Sequence, residues 1–469
     1  MWKTIKSLVG GVGLLVALAT APDVARADGG ALAWVDCGDG LWCGSLSVPA
    51  DWAEPGGPRV ELAVAKLPAL DQAAKKGVLV VNLGGPAQQI SVLRVAKSAF
   101  ADLTRWFDVV VPDPRGFEAS SGIRCPYPAP LPENLEWASP GPDTYERYRT
   151  ANHRFGVDCG QVAGPLAGNL DSWQVARDLD AVRAALGEAK LNYYGNSYGT
   201  VYGQAYAHHF PGRVGRMYLD SVLDHTTRSW TDWLVPRART MEHNMTRFAE
   251  WCAAEPTCAL HGRDLLTTWD ELIARAEREP IPGGGTTVNA SRILSRTNPG
   301  FEREWPELAR SIAEAHAGDA TRFAGQPTGG RDPDLSRIAS CADFPYPSDY
   351  RVLKSWEADL RELTPHIGWV ATWPMAYHCA GLPGTGTYPP HRLHVRGLPP
   401  VLLASGEHDA TTPPRDARRV AAQLGNARYL PVVGGHALYL SGHPCVREHV
   451  HRYLTTGELP PEGTACGAA

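Results

Sequence analysis

The chain lacks a charge excess. Its 45 basic and 50 acidic residues leave a net charge of -5 over 469 residues, a balance that calls for no nucleic acid or other polyanion. Lysine is scarce, eight of those 45. The apolar run Leu8–Ala19 is too short to span a bilayer comfortably, so no stable membrane association is expected. No C-x-x-C occurs among the ten cysteines, no His sits at zinc-finger spacing and no H-E-x-x-H is present. His208 and His209 are neighbours on a predicted helix, where adjacent rings diverge. The glycines near Gly85 lack the G-x-x-x-x-G-K-[ST] pattern of a phosphate cradle. No cofactor and no metal are therefore expected. Internal repeats and low-complexity runs are also missing.

What is present begins with a leader. Lys3 and Lys6 precede Leu8–Ala19, and Ala25-Arg26-Ala27 matches a small-x-small cleavage site. Residues 1–27 read as a secretory signal peptide cut before Asp28, which makes the protein secreted and extracellular. An N-terminal anchor that stays in place is the other reading of that stretch. Ten cysteines in an exported chain suggest disulfides. Spacing alone does not fix pairing; the expectation is the sequential set Cys37–Cys43, Cys125–Cys159, Cys252–Cys258, Cys341–Cys379 and Cys445–Cys466.

Val78–Val81 and Phe107–Val111 are short β-branched runs closed by Gly and Pro turn residues. Val175, Leu179, Val182 and Leu186 recur at helical spacing, with Asp171 placed to cap the start and Gly187 the end. Strand Leu191–Tyr194 follows, then a helix through Val201, Tyr202, Ala205 and Tyr206, then strand Arg216–Leu219. Alternation of this kind predicts an α/β fold with a mostly parallel sheet covered on both faces. The alternation stops near His225 and resumes at Pro400–Ala404 and Arg428–Val433. The expected division is residues 28–224 and 397–469 as one domain, with a helical cap insertion over 225–396.

Between Leu191–Tyr194 and the next helix lies Gly195-Asn196-Ser197-Tyr198-Gly199. G-x-S-x-G in a strand–turn–helix context is a nucleophile elbow, whose flanking residues must be tiny because the turn is sharp. A plain turn serine is the bland alternative. A serine hydroxyl also needs a base at neutral pH, and in this architecture the acid and then the histidine follow it in the chain. Asp409 sits in the loop after Pro400–Ala404, with Glu407, Asp220 and Asp224 as weaker rivals. His436 sits in the loop after Arg428–Val433, ahead of His443, His449 and His451. The tetrahedral intermediate needs two N–H donors. Tyr198, next to the nucleophile, supplies one, and Gly85 the other, since Pro86 has none.

Together these residues resemble the tripeptidyl-aminopeptidase family of secreted bacterial α/β-hydrolases. The resemblance covers nearly the whole chain after the leader. It rests on Cys37-Gly38 with Cys43–Trp52, the loops Asn82–Ala87 and Asp113–Gly116, the helix Ala176–Gly187 and the elbow Gly195–Thr200. It continues through Gly406–Pro413, Gly435-His436, Cys445 and Leu459–Cys466. It implies an α/β-hydrolase fold with a helical cap and a serine exopeptidase that releases short peptides from a free N-terminus. Two loops depart from the family pattern. Gly84–Gln89 lacks the usual glycine at 87, and Pro114–Ser120 replaces R-G-x-G-x-S. Both are expected at the pocket mouth and bear on the substrate. The partner is accordingly a peptide or a small N-acylated substrate. In the second case the protein is an N-acyl-amide hydrolase, for instance on an N-acetylated aminonucleoside antibiotic. An aminopeptidase needs an ammonium clamp, for which Glu242, Glu250, Glu302, Glu304 and Glu307 are candidates. A catalytically dead binding protein is the reading from another class; the presence of Ser, Asp and His in order weighs against it.

Overall fold

The computed structural model describes residues 26–27, 32–131, 138–325 and 333–468. The leader expected over residues 1–27 falls outside these, apart from Arg26–Ala27. Eight strands make the body of the main sheet: β1 (Trp42–Pro49), β2 (Arg59–Leu67), β3 (Val78–Asn82), β4 (Asp108–Pro112), β5 (Leu191–Asn196), β6 (Val214–Asp220), β7 (Val401–Gly406) and β8 (Ala427–Val432). Their order is β1-β2-β4-β3-β5-β6-β7-β8, with short ladders at Arg26–Ala27 and Val35–Asp36 extending the β1 edge. From β4 to β8 all neighbours are parallel; β1–β2 and β2–β4 are antiparallel.

β3, β4 and β7 are buried along their whole length. They are central strands with helices on both faces, which is why they read as continuous apolar runs. Helices Ser172–Ala185, Gly199–His209 and Pro414–Leu424 pack into the core on one face. Helices Ile90–Ala96 and Pro444–Thr456 cover the other. Asp171 caps the Ser172 helix by accepting the Gln174 N–H at 3.0 Å.

The chain between β6 and β7 adds helices and one two-stranded hairpin, and among the described residues no strand to the main sheet. Helix Pro142–Ala163, from before β5, packs against this segment: Tyr148 donates to the Tyr377 carbonyl at 2.7 Å and Asn152 to that of Ala380 at 2.8 Å. All ten cysteines are bonded, in sequential order: 37–43, 125–159, 252–258, 341–379 and 445–466. Among the described residues no helix is long and apolar enough to cross a membrane.

Candidate active site

Ser197 stands between the end of β5 and helix Gly199–His209, with φ +53°. A non-glycine residue held there carries strain that the surroundings must oppose. The Ser197 N–H donates to the Asp220 carbonyl at 2.9 Å, and the Ser197 carbonyl accepts the Thr200 N–H at 2.9 Å and hydroxyl at 2.6 Å. The two elbow glycines are a steric requirement. A Cβ on Gly195 would stand 2.5 Å from the Gly199 carbonyl oxygen, and one on Gly199 would stand 2.6 Å from Asn82 Oδ1.

Asp409 and His436 meet across the loops after β7 and β8. Nδ1 of His436 lies 2.7 Å from Oδ2 of Asp409. The carboxylate is buried and also accepts the N–H groups of Thr411 and Thr412 and the Thr412 hydroxyl. That hydroxyl is 3.3 Å from His436 Nδ1. The histidine loop is seated from below: Ser221 accepts the Ala437 N–H, and Asp220 those of Leu438 and Tyr439. Gly406 permits this packing, since a Cβ there would stand 2.1 Å from the Gly435 carbonyl oxygen.

The rival residues have other tasks. Asp220 is committed to those N–H groups, and Asp224 binds Thr226 and Arg419. Glu407 is exposed. His443 contacts the Gly467 carbonyl, and His451 the Tyr439 hydroxyl. His449 lies beside Cys445 and Cys466, the one group with metal-ligand proximity among the described residues; its two sulfurs are joined to each other.

Gly85, Ser197, Tyr198 and Thr412 line one cavity of about 350 Å³. Gly84 packs against the serine, its ideal Cβ 3.1 Å from that of Ser197. Tyr198 starts the following helix, where N–H groups lack intrahelical acceptors. The glycine loop is held by buried Gln89, which the sequence reading passed over. Its side chain accepts the Leu83 N–H at 2.6 Å and donates to the carbonyls of Gly84 and Ala87 at 2.8 and 2.6 Å. Opposite walls come from the segment between β6 and β7: Trp233, Met241, Phe344, Pro374 and Met375, with Arg237, Ser340 and His378. None of the five cap glutamates lines it. Glu242 accepts the N–H groups of Ile367 and Gly368, Glu302 pairs with Arg247, Glu304 with Arg303, and Glu307 with Arg310 and Arg322; Glu250 is exposed.

The loop 114–120 corrects its expected place. It turns inward and does not reach this cavity. Arg115 is fully buried and binds Asp178 in a fork, Nε–Oδ2 at 2.7 Å and Nη2–Oδ1 at 2.6 Å. Trp52 donates its indole N–H to the same carboxylate at 2.8 Å. Ser120 donates to the Asp113 carbonyl and accepts the Ala63 N–H.

Beneath the elbow, Asp343 joins the cap segment to the sheet. Its carboxyl accepts the Tyr198 hydroxyl at 2.5 Å, the Ser172 N–H at 2.9 Å and the Ser172 hydroxyl. Burial, then nearby Asp171, pushes its pKa up to about 8 against those donors. A carboxyl raised above its unfolded value, about 3.9, contributes stability fully present below that value and lost as pH rises through the folded pKa. Thermal midpoints at pH 5, 7 and 9 should therefore become relatively more favourable to Asp343→Asn, over the parent, as pH increases. A difference independent of pH would contradict this.

Fold and site together are those of a serine hydrolase built on an α/β sheet. A family model described as alpha/beta hydrolase fold matches residues 77–443, and the chain belongs to that family. Its relatives include a tripeptidyl aminopeptidase of Streptomyces coelicolor, 28% identical, the match covering 94% of this chain and 87% of that one. Serine protease Hip1 of Mycobacterium tuberculosis is 30% identical over 91% of this chain and 87% of its own. A carboxylesterase B of the same organism is 29% identical, at 90% and 86%.

Proposed function

We propose that the protein cleaves amide bonds through an acyl-enzyme on Ser197 and acts as an aminopeptidase releasing short N-terminal peptides. His436 takes the Ser197 proton as Oγ attacks the carbonyl carbon, and gives it to the departing amine as the C–N bond breaks. Water then attacks the ester, again with His436 as base, and the acyl group leaves as a carboxylic acid. Asp409 holds the imidazole tautomer and stabilises the imidazolium. Gly85 and Tyr198 N–H groups receive the developing oxyanion.

The observation that carries this reading is the cavity against Ser197, roofed by the 225–396 segment acting as a cap on residues 28–224 and 397–469. At about 350 Å³ it lies at the small end of ligand sites, which run from about 300 to 1,000 Å³. It suits a few residues of peptide, and folded protein cannot enter. The relatives named as tripeptidyl aminopeptidase and serine protease favour a peptide substrate. Five disulfides and the leader at residues 1–27 favour secretion.

A second reading, an N-acyl-amide hydrolase, is favoured by one observation: no carboxylate lines the cavity among the described residues. The free amine of a tripeptide, roughly 10 Å from the scissile carbonyl by extended-chain length, would therefore meet no carboxylate in this lining. Comparing kcat/KM for a free tripeptide anilide, its N-acetylated form and a small N-acetyl amide separates the two. Preference for the free tripeptide supports the aminopeptidase. Preference for the acetylated substrates, with acetate released from the small amide, would replace it with the second reading.

A further inference from the structure

Three polar groups of the cap stand in the wall of this cavity without partners. The indole Nε1 of Trp233 is buried and makes no hydrogen bond. The hydroxyl of Ser340 and both ring nitrogens of His378 have no hydrogen-bond partner among the described residues. Trp233 is 8% exposed and Ser340 9%. Buried polar groups are nearly always satisfied, and one that is not, here the Trp233 N–H, calls for a ligand or other explanation; Ser340 and the partly exposed His378 line the same cavity.

The three side chains come from three helices, Trp230–Ala254, Pro333–Asp343 and Trp373–Cys379. The spacing of Ser340 and His378 is held covalently, because Ser340 adjoins Cys341, His378 adjoins Cys379, and those two cysteines are bonded. Burial lowers the pKa of His378 to about 4, so near neutral pH its ring offers one donor and one acceptor. The tryptophan N–H only donates. The remaining charge in the wall, Arg237, is already engaged: it binds Asp416 at 2.6 Å and the Trp233 carbonyl at 2.7 Å, and stacks on the Trp233 ring.

We propose that Trp233, Ser340 and His378 form a specificity subsite for the acyl side of the substrate. It takes an apolar, uncharged group bearing a hydrogen-bond-accepting oxygen, such as an ether, ester or amide. A pure hydrocarbon would leave the donors unsatisfied. An ammonium would meet a guanidinium and apolar walls. The inference rests on the reading of Ser197 as the nucleophile.

The test uses three tripeptide anilides that differ in the residue before the scissile bond: norleucine, its ether isostere O-methylhomoserine, and lysine. The full-length protein should favour the ether over norleucine by about tenfold in kcat/KM, the order that one net hydrogen bond supplies, with lysine poorest. His378→Leu and Ser340→Ala should each move the ether-to-norleucine ratio toward one. That ratio is independent of how much enzyme is folded. A ratio near one in the parent, a ratio unchanged in both variants, or preference for lysine would overturn the subsite. Cleavage of none of the three, with Ser197 still phosphonylated by an active-site phosphonate, would overturn the subsite together with the peptide reading. Failure of Ser197 to be phosphonylated as well would remove the nucleophile on which the inference stands.

Discussion

Ser197→Ala is expected to lower kcat by several orders of magnitude, on the order of 10⁶ if this site behaves as other Ser-His-Asp units do. His436→Ala should cost about as much. The double variant should be no worse than either single one, because a base without its nucleophile has nothing to activate. The physical reason is local. The serine is held at φ +53° by bonds to Asp220 and Thr200, so alanine fits the same backbone and only the reacting oxygen is lost. Stability should therefore barely change while turnover disappears. Multiplicative losses in the double variant would mean that the two residues act independently.

The second large effect concerns stability. Arg115 and Asp178 form a buried, forked ion pair that also receives Trp52 and touches the carbonyls of Pro49 and Ala50. Breaking a buried pair by removing one partner leaves the other charge uncompensated and costs about 3–5 kcal/mol. Arg115→Ala should reduce unfolding free energy by about that much in denaturant titration. Its folded fraction should retain the parent's substrate preference, because the loop does not line the cavity. A loss below about 1 kcal/mol, the range of a surface pair, would show that the fork is not a keystone of the β1–β2 edge.

This pair also marks the limit of what the sequence reveals. The resemblance quoted Cys43–Trp52, Asp113–Gly116 and Ala176–Gly187 as separate motifs. In space they supply Trp52, Arg115 and Asp178 to one cluster. Local pattern cannot announce a contact between residues so far apart in the chain, and loop 114–120 was accordingly expected at the pocket.

Buried parallel strands were legible because both their faces are apolar: Val78–Val81, Leu191–Tyr194 and Pro400–Ala404 each fall within a strand or within one residue of it. β1 escaped because Gly44, Ser45 and Ser47 interrupt its apolar run. β2 carried a signal that was passed over, with Val60, Leu62 and Val64 alternating inward. The Asp409–His436 contact was readable from chain order in this architecture. Thr412 stood in a quoted motif without a stated role, and the structure gives it a hydroxyl bonded to Asp409. Asp343 had no local signal at all, since its partner Tyr198 lies 145 residues earlier.

The central claim is that Ser197 becomes acylated. The direct measurement is intact-mass and peptide-mapping analysis after treatment with an active-site phosphonate. The account predicts one adduct per chain, located on Ser197, formed in step with loss of amidase activity, and absent from Ser197→Ala. Full phosphonate-resistant activity, or inactivation with the adduct on another residue, would contradict it.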